Sequence, residues 1–326
     1  MSGDDVATSR IQKLSARLTD RDRLILRTLA THRLLTTHQI TELAFDSPVT
    51  ARHRMQQLEG MQAVDRFRPR ADRGSHPSHF VLAPAGAAAV AVEAGQDTKP
   101  AIRQARRDRE LGMKSPRGLA HLIGVNGFHT ALEAHARTHP DTSVERWLSE
   151  REMPAPGFYG GGVRPDAVVT WRQGRTRATL AIEYDTGTER LARLVDKIGA
   201  YDTLLDAWKR GMDAYVAQDL FGTEHPVVLF VFTSPRREIE ARAALNRTHT
   251  TVPIATGVRP PDTSPTEPLW LPLGARPPRL RPARLGAGVP GAPSPIETGT
   301  TRGPGRARPT ALAADAGFED DESDLW

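Results

Sequence analysis

A chain of 326 residues is long enough to bury one or two cores, and its lack of cysteine excludes both a disulfide framework and a thiolate zinc site, while its eleven histidines lack the paired spacing of a zinc ligand set. The net charge of +5 is unevenly placed: residues 1–118 hold 20 Lys and Arg against 13 Asp and Glu, residues 119–260 hold 17 of each, and residues 261–326 hold 7 against 9, so a polyanionic partner is expected at the first third. With neither a signal-like N-terminus nor an apolar run near the roughly 18 residues that span a bilayer, the expectation is a soluble, cytoplasmic protein without membrane contact.

After a polar leader, residues 1–18, Thr19 is a predicted N-cap, with Asp20 and Asp22 suited to the positive end of a helix carrying Leu24, Ile25, Leu26, Leu29 and Ala30. A short helix is expected over residues 37–43, then a turn through Phe45, Asp46, Ser47 and Pro48, then a third helix over 49–60. The period then falls to two through Val64, Arg66 and Arg68, and the chain returns as a strand over residues 78–82. This order is that of a winged helix-turn-helix, placed at residues 19–95. An alanine-rich helix after Pro84 completes it, and residues 96–118 read as a basic linker with few apolar side chains.

The second unit, residues 119–258, is expected to run as a helix over 119–138, a strand over 144–148, a β-hairpin turning at Gln173, Gly174 and Arg175, a long helix over 189–209, a buried strand over 227–232, a helix over 235–246 and a short edge strand at 252–254. Residues 259–326 are rich in Pro, Gly and Arg, lose periodicity, and read as a disordered tail whose acidic end is open to a protein partner or to a solubilising role. The class expected is α+β, and a second copy of the chain is admitted as a partner.

Major-groove reading needs donors on one helix face and apolar residues on the other. The third helix offers Thr50, Arg52, His53, Arg54, Gln56 and Gln57 as polar groups, with Val49, Ala51, Met55 and Leu58 facing the core. The wing adds Arg66, Arg68, Arg70 and Arg73 beside Gly74 and His76, a basic finger suited to phosphates or a minor groove. Double-stranded DNA is the partner this predicts; a solvated basic face, or a winged helix used for protein contacts, is the alternative.

In the second unit, Asp166 opens one hairpin strand and Glu183 and Asp185 close the other, so alternation puts Glu183 and Asp185 on one side with Asp166 alongside. Gathered carboxylates suit a hard divalent cation such as Mg²⁺; Glu133 could add another, and Lys197 could point its ammonium at the same place. The competing reading is a solvated charge cluster paired with Arg164, Arg172, Arg177 or Arg190. His121 and Asn126 could sit near this cleft, although a histidine at a helix start is more often a cap or a packing residue.

The order of elements, with Pro165-Asp166 and Glu183-Tyr184-Asp185, resembles the core of the PD-(D/E)xK nuclease superfamily. The resemblance implies Asp166 and Glu183 as metal ligands and a catalytic lysine two positions after Glu183, where this chain has Asp185; Lys197 on the following helix is the substitute. Residues 19–257 also resemble the replication-relaxation family of actinobacterial plasmids and mobile elements, through Leu18-Thr19-Asp20-Arg21-Asp22, Phe80-Val81-Leu82, the segment from His121 to Asn126, Arg164-Pro165-Asp166 and Glu183 to Gly187. That resemblance implies a DNA-binding accessory protein acting in replication, relaxation or transfer. Its second unit is expected either to nick DNA with Asp166, Glu183, Asp185 and Lys197 or to serve a transcriptional or copy-number regulator as an inactive module.

Overall fold

A computed structural model describes residues 11–69, 76–114, 116–153, 162–211, 214–222 and 225–288. Residues 11–15, read as part of a polar leader, are helical, and Leu14 and Leu18 are buried in the core; after them α1 (Asp20–His32) starts on a capping box, in which Asp22 N–H donates to Thr19 Oγ and Thr19 N–H donates to the Asp22 carboxylate at 2.7 Å. Arg33, at φ 69°, ends it. Strand β1 (Leu34–Thr36) follows, fully buried and too short to show an alternating pattern. Thr36 and Gln39 form a second capping box for α2 (Thr37–Ala44). Ser47 caps α3 (Pro48–Gly60), whose first residue, Pro48, lacks an N–H that would have had no partner inside the helix.

β2 (Val64–Phe67) and β3 (His79–Leu82) complete a three-stranded antiparallel sheet in the order β1-β3-β2. α4 (Pro84–Glu93) packs close behind it, because Gly86 lies where a Cβ would stand 2.0 Å from the Ala63 carbonyl oxygen. Ile25, Leu29, Ile40, Ala51, Met55, Leu58, Phe80 and Ala89 share the core of this half. The stretch expected to be a linker is helical: α5 (Thr98–Lys114) buries Ala105 and Asp108, and α6 (Pro116–Thr138) begins two residues after it.

The second sheet has six strands in the order β4-β5-β6-β7-β8-β9. β4 (Thr142–Ser149), β5 (Ala167–Gln173) and β6 (Thr176–Asp185) are antiparallel, whereas β6, β7 (Val227–Phe232) and β8 (Ile254–Val258) run parallel. α6 covers one face with Val125, Phe128 and Leu132. α7 (Leu191–Lys209), α8 (Ala214–Phe221) and α9 (Pro235–Leu245) cover the other, and every residue of β7 is buried as a result. The fold is thus mixed α+β.

Two expectations need correction. The strand expected at the sheet edge is internal, because β9 (Leu271–Pro272) pairs beyond β8. Residues 259–288, read as part of a disordered tail, are built into the fold: Trp270 is fully buried with Nε1–H donating to the Pro265 carbonyl at 2.9 Å, Arg279 forks onto Glu238 at 2.8 and 2.9 Å, and α10 (Pro282–Gly288) packs on β6. An aromatic anchor, an ion pair, the pairing of β9 and the buried Ala283 and Leu285 of α10 fix a segment that has no hydrophobic period of its own. The remainder of the tail, with its acidic end, lies outside the described residues, as do the leader residues 1–10. No helix among the described residues is long and apolar enough to cross a membrane.

α6 joins the two halves. Asn126, fully buried, donates from Nδ2 to the carbonyls of His32 and Leu34 at 3.0 and 2.7 Å and pairs through Oδ1 with His32 Nδ1 at 3.0 Å, while Gln39 donates to the Ile123 carbonyl at 2.8 Å and Thr130 to Glu42 at 2.9 Å.

Candidate nucleic-acid interface and carboxylate centre

Ala51, Met55 and Leu58 pin α3 to the core and thereby turn Thr50, Arg52, His53, Gln56 and Gln57 outward. Between this face and the β2–β3 hairpin lies a cavity of about 430 Å³ lined by Thr37, Arg52, Gln56, Arg66, Arg68, His76, Pro77, Ser78 and Phe80. Arg66 pairs with Glu59 at 3.3 Å, and Arg68 donates to Ser78 Oγ at 2.9 Å. Those contacts hold two guanidinium groups on the groove wall without burying them. Arg70, Arg73 and Gly74 lie outside the described residues.

Two assignments within α3 change. Arg54, expected at the DNA surface, is only part-exposed and is engaged within the fold: its Nε donates to Asp22 Oδ1 at 2.8 Å, its Nη2 to Asp22 Oδ2, and its Nη1 to Gln57 at 2.6 Å. The cause lies outside the helix, because Asp22 is fully buried and a buried carboxylate needs a counter-charge. Burial pushes the Asp22 carboxyl up, but the bonds from Arg54 and Thr19 outweigh it and hold it below the usual carboxylate value. Val49, expected in the core, is 65% exposed.

In the second half, the structure brings Asp166, Glu183 and Lys197 together. Asp166 sits just before β5 and accepts from Tyr184 N–H at 2.7 Å. Glu183 on β6 is buried against α7, where Lys197 donates to Oε2 at 2.7 Å and Tyr201, one helical turn on, donates to Oε1 at 2.9 Å. Burial, and then the charge of Asp166, push the Glu183 carboxyl up to about 7 despite those two bonds. Burial would lower the Lys197 ammonium, yet the charges of Glu183 and Asp166 raise it, so it stays protonated at neutral pH.

Asp185 does not join this group. Its carboxylate accepts from Arg237 Nε at 2.8 Å and from Gly187 N–H, contacts that fix the turn between β6 and α7. Nor do three His, Asp or Glu side chains gather in metal-holding geometry among the described residues. Mg²⁺ is commonly held by only one or two carboxylates with water completing the shell, so the hard oxygen donors of Asp166 and Glu183 fit that ion chemically without Asp185. Glu133, the other candidate carboxylate, lies near His129 at 3.5 Å and belongs to a different part of α6.

His121 and Tyr201 are the neighbours that the carboxylate motif does not identify. His121 Nε2 lies 3.1 Å from Asp166 Oδ1, with its ring edge-on to Tyr184. Burial would lower the imidazole, but the Asp166 hydrogen bond and charge raise it overall. This contact depends on Gly124, where a Cβ would stand 2.2 Å from the Tyr184 ring, so only glycine lets α6 approach β6 this closely. Asn126, by contrast, faces α1 and serves the junction. The four-residue interval from Lys197 to Tyr201 was the readable sign that both face the same strand.

Of the chain's similarities to known proteins, one is to a family model described as Replication-relaxation, which matches residues 26–214, more than half of the chain. No curated protein and no solved structure matches significantly. The match takes in α3 with its groove as well as the residues from His121 to Lys197, and family membership suggests a role in plasmid replication or relaxation without specifying an activity. The chain belongs to the Replication-relaxation family.

Proposed function

We propose that this chain is a DNA-binding accessory protein of a plasmid or mobile element, acting in replication, relaxation or transfer. In this reading, residues 19–95 are a winged helix-turn-helix and residues 119–258 a PD-(D/E)xK-like module. The observation that carries it is the groove lined by Arg52, Arg66, Arg68 and His76 against the outward face of α3. Duplex DNA is the partner, with Thr50, Arg52, His53 and Gln57 toward the bases and Arg66 and Arg68 toward the phosphates. Arg54 is left out of this set because Asp22 holds it.

For the second module, Asp166 and Glu183 would hold Mg²⁺, which when bound supplies Lewis-acid polarisation of a phosphodiester oxygen. Lys197, kept charged, stabilises negative charge gathering on a phosphoryl group, and His121 orients Asp166. A second reading, a regulator with an inactive module, is favoured by the withdrawal of Asp185 to Arg237 and the engagement of both Glu183 oxygens. Supercoiled plasmid with Mg²⁺ or Mn²⁺ separates the two. Relaxed product from the wild type and none from Asp166→Ala supports nicking; binding with no conversion supports the regulator.

A further inference from the structure

We infer that α3 reads a thymine through Val49, an inference that rests on the duplex-binding reading above and names a base that it selects. Val49, Arg52, His53 and Gln56 are spaced three, four and seven residues apart, so they share one face, and all four are exposed. That face adjoins the cationic cavity, to which Arg52 and Gln56 contribute directly. Val49 is the apolar member of the set.

The fold itself does not call for valine there. Valine is a weaker helix former than alanine, leucine or lysine, and at 65% exposure it gains little from packing. Its backbone is held by Ser47, whose Oγ accepts from Val49 N–H at 3.2 Å, and that bond would serve any side chain. At the base edges of the major groove, the thymine C5-methyl is the apolar group, while the other features are donors and acceptors. An exposed branched aliphatic side chain one turn ahead of Arg52, on a face otherwise polar, is complementary to that methyl.

Selection from a random-sequence duplex library by the full-length chain, followed by replacement of each thymine in the enriched duplex with uracil, tests this. Uracil removes only the methyl group. The wild type is expected to lose roughly fourfold in affinity at one thymine, the worth of about one buried methyl group, and Val49→Ala to lose nothing further there. Val92→Ala, which trims an exposed valine on α4, is the control and should leave the uracil profile unchanged. An unchanged uracil profile in Val49→Ala, or no uracil effect in the wild type, overturns the inference while duplex binding stands. Failure of the wild type to bind any duplex at low salt overturns the duplex reading itself, and this inference with it.

Discussion

Asp22 in α1 and Glu183 in β6 are both buried carboxylates bonded to a cation, yet their proton affinities move in opposite directions. Asp22 receives the N–H and hydroxyl of Thr19 and two nitrogens of Arg54. Both carboxylate oxygens are engaged, and the carboxyl is held low. Glu183 has Lys197 and Tyr201, but its burial, and then the like charge of Asp166, outweigh them and raise it to about 7. Satisfied charge of the first kind clamps a fold together. A carboxyl whose proton affinity is raised despite its partners is of the kind functional sites carry, because a group poised near neutrality can bind a cation or exchange a proton.

The sharpest way to break this comparison is to remove each cation or carboxylate in turn. Arg54→Ala leaves Asp22 buried without a counter-charge and should cost about 3 kcal/mol in denaturant unfolding. A loss below about 1 kcal/mol would show that Asp22 is not clamped as described. Glu183→Gln tests the other half through pH. Because the folded carboxyl is raised above its ordinary 4.5, between that value and about 7 the folded chain holds a proton that the unfolded chain releases, so stability falls as pH rises through this window. Glutamine has no such dependence. The stability difference should therefore shift toward the variant by as much as about 3 kcal/mol between roughly pH 5 and pH 8. A constant difference would place Glu183 in the ordinary carboxylate range.

Next in size is the junction between the two regions. Asn126→Ala removes the partner of two backbone carbonyls and of His32, and should cost about 2 kcal/mol. Unaltered unfolding would mean that α6 is not what ties the two sheets together. The smallest expected effect is local: Asp166→Asn should lower the His121 titration midpoint followed by NMR, since Asp166 is what raises it. The stability His121 contributes is present at acid pH and lost as pH climbs through its raised midpoint, and the variant should lose that dependence. A His121 midpoint that stays where it was would separate the two residues.

What the sequence disclosed follows from the range of the forces involved. The helix over α3 and the hairpin of β5 and β6 carry local signals, β7 is legible as a six-residue apolar run, and the approach of Asp166 to Glu183 follows from the strand register. β1 does not show itself, because three buried residues contain no alternation. The engagement of Arg54 is decided by Asp22, thirty-two positions earlier, and the order of residues 259–288 by distant partners such as the pairing of Arg279 with Glu238 and of β9 with β8. Asp185 likewise answers to Arg237 from α9, four elements on. Each is a long-range contact that leaves no local pattern.

Duplex binding is assigned to the groove beside α3, and its salt dependence tests that assignment directly. The logarithm of the association constant should fall steeply with the logarithm of salt concentration for the wild type, and Arg66→Ala combined with Arg68→Ala should reduce that slope by about 2. An identical slope in the double variant would contradict the assignment of this groove to the phosphate backbone.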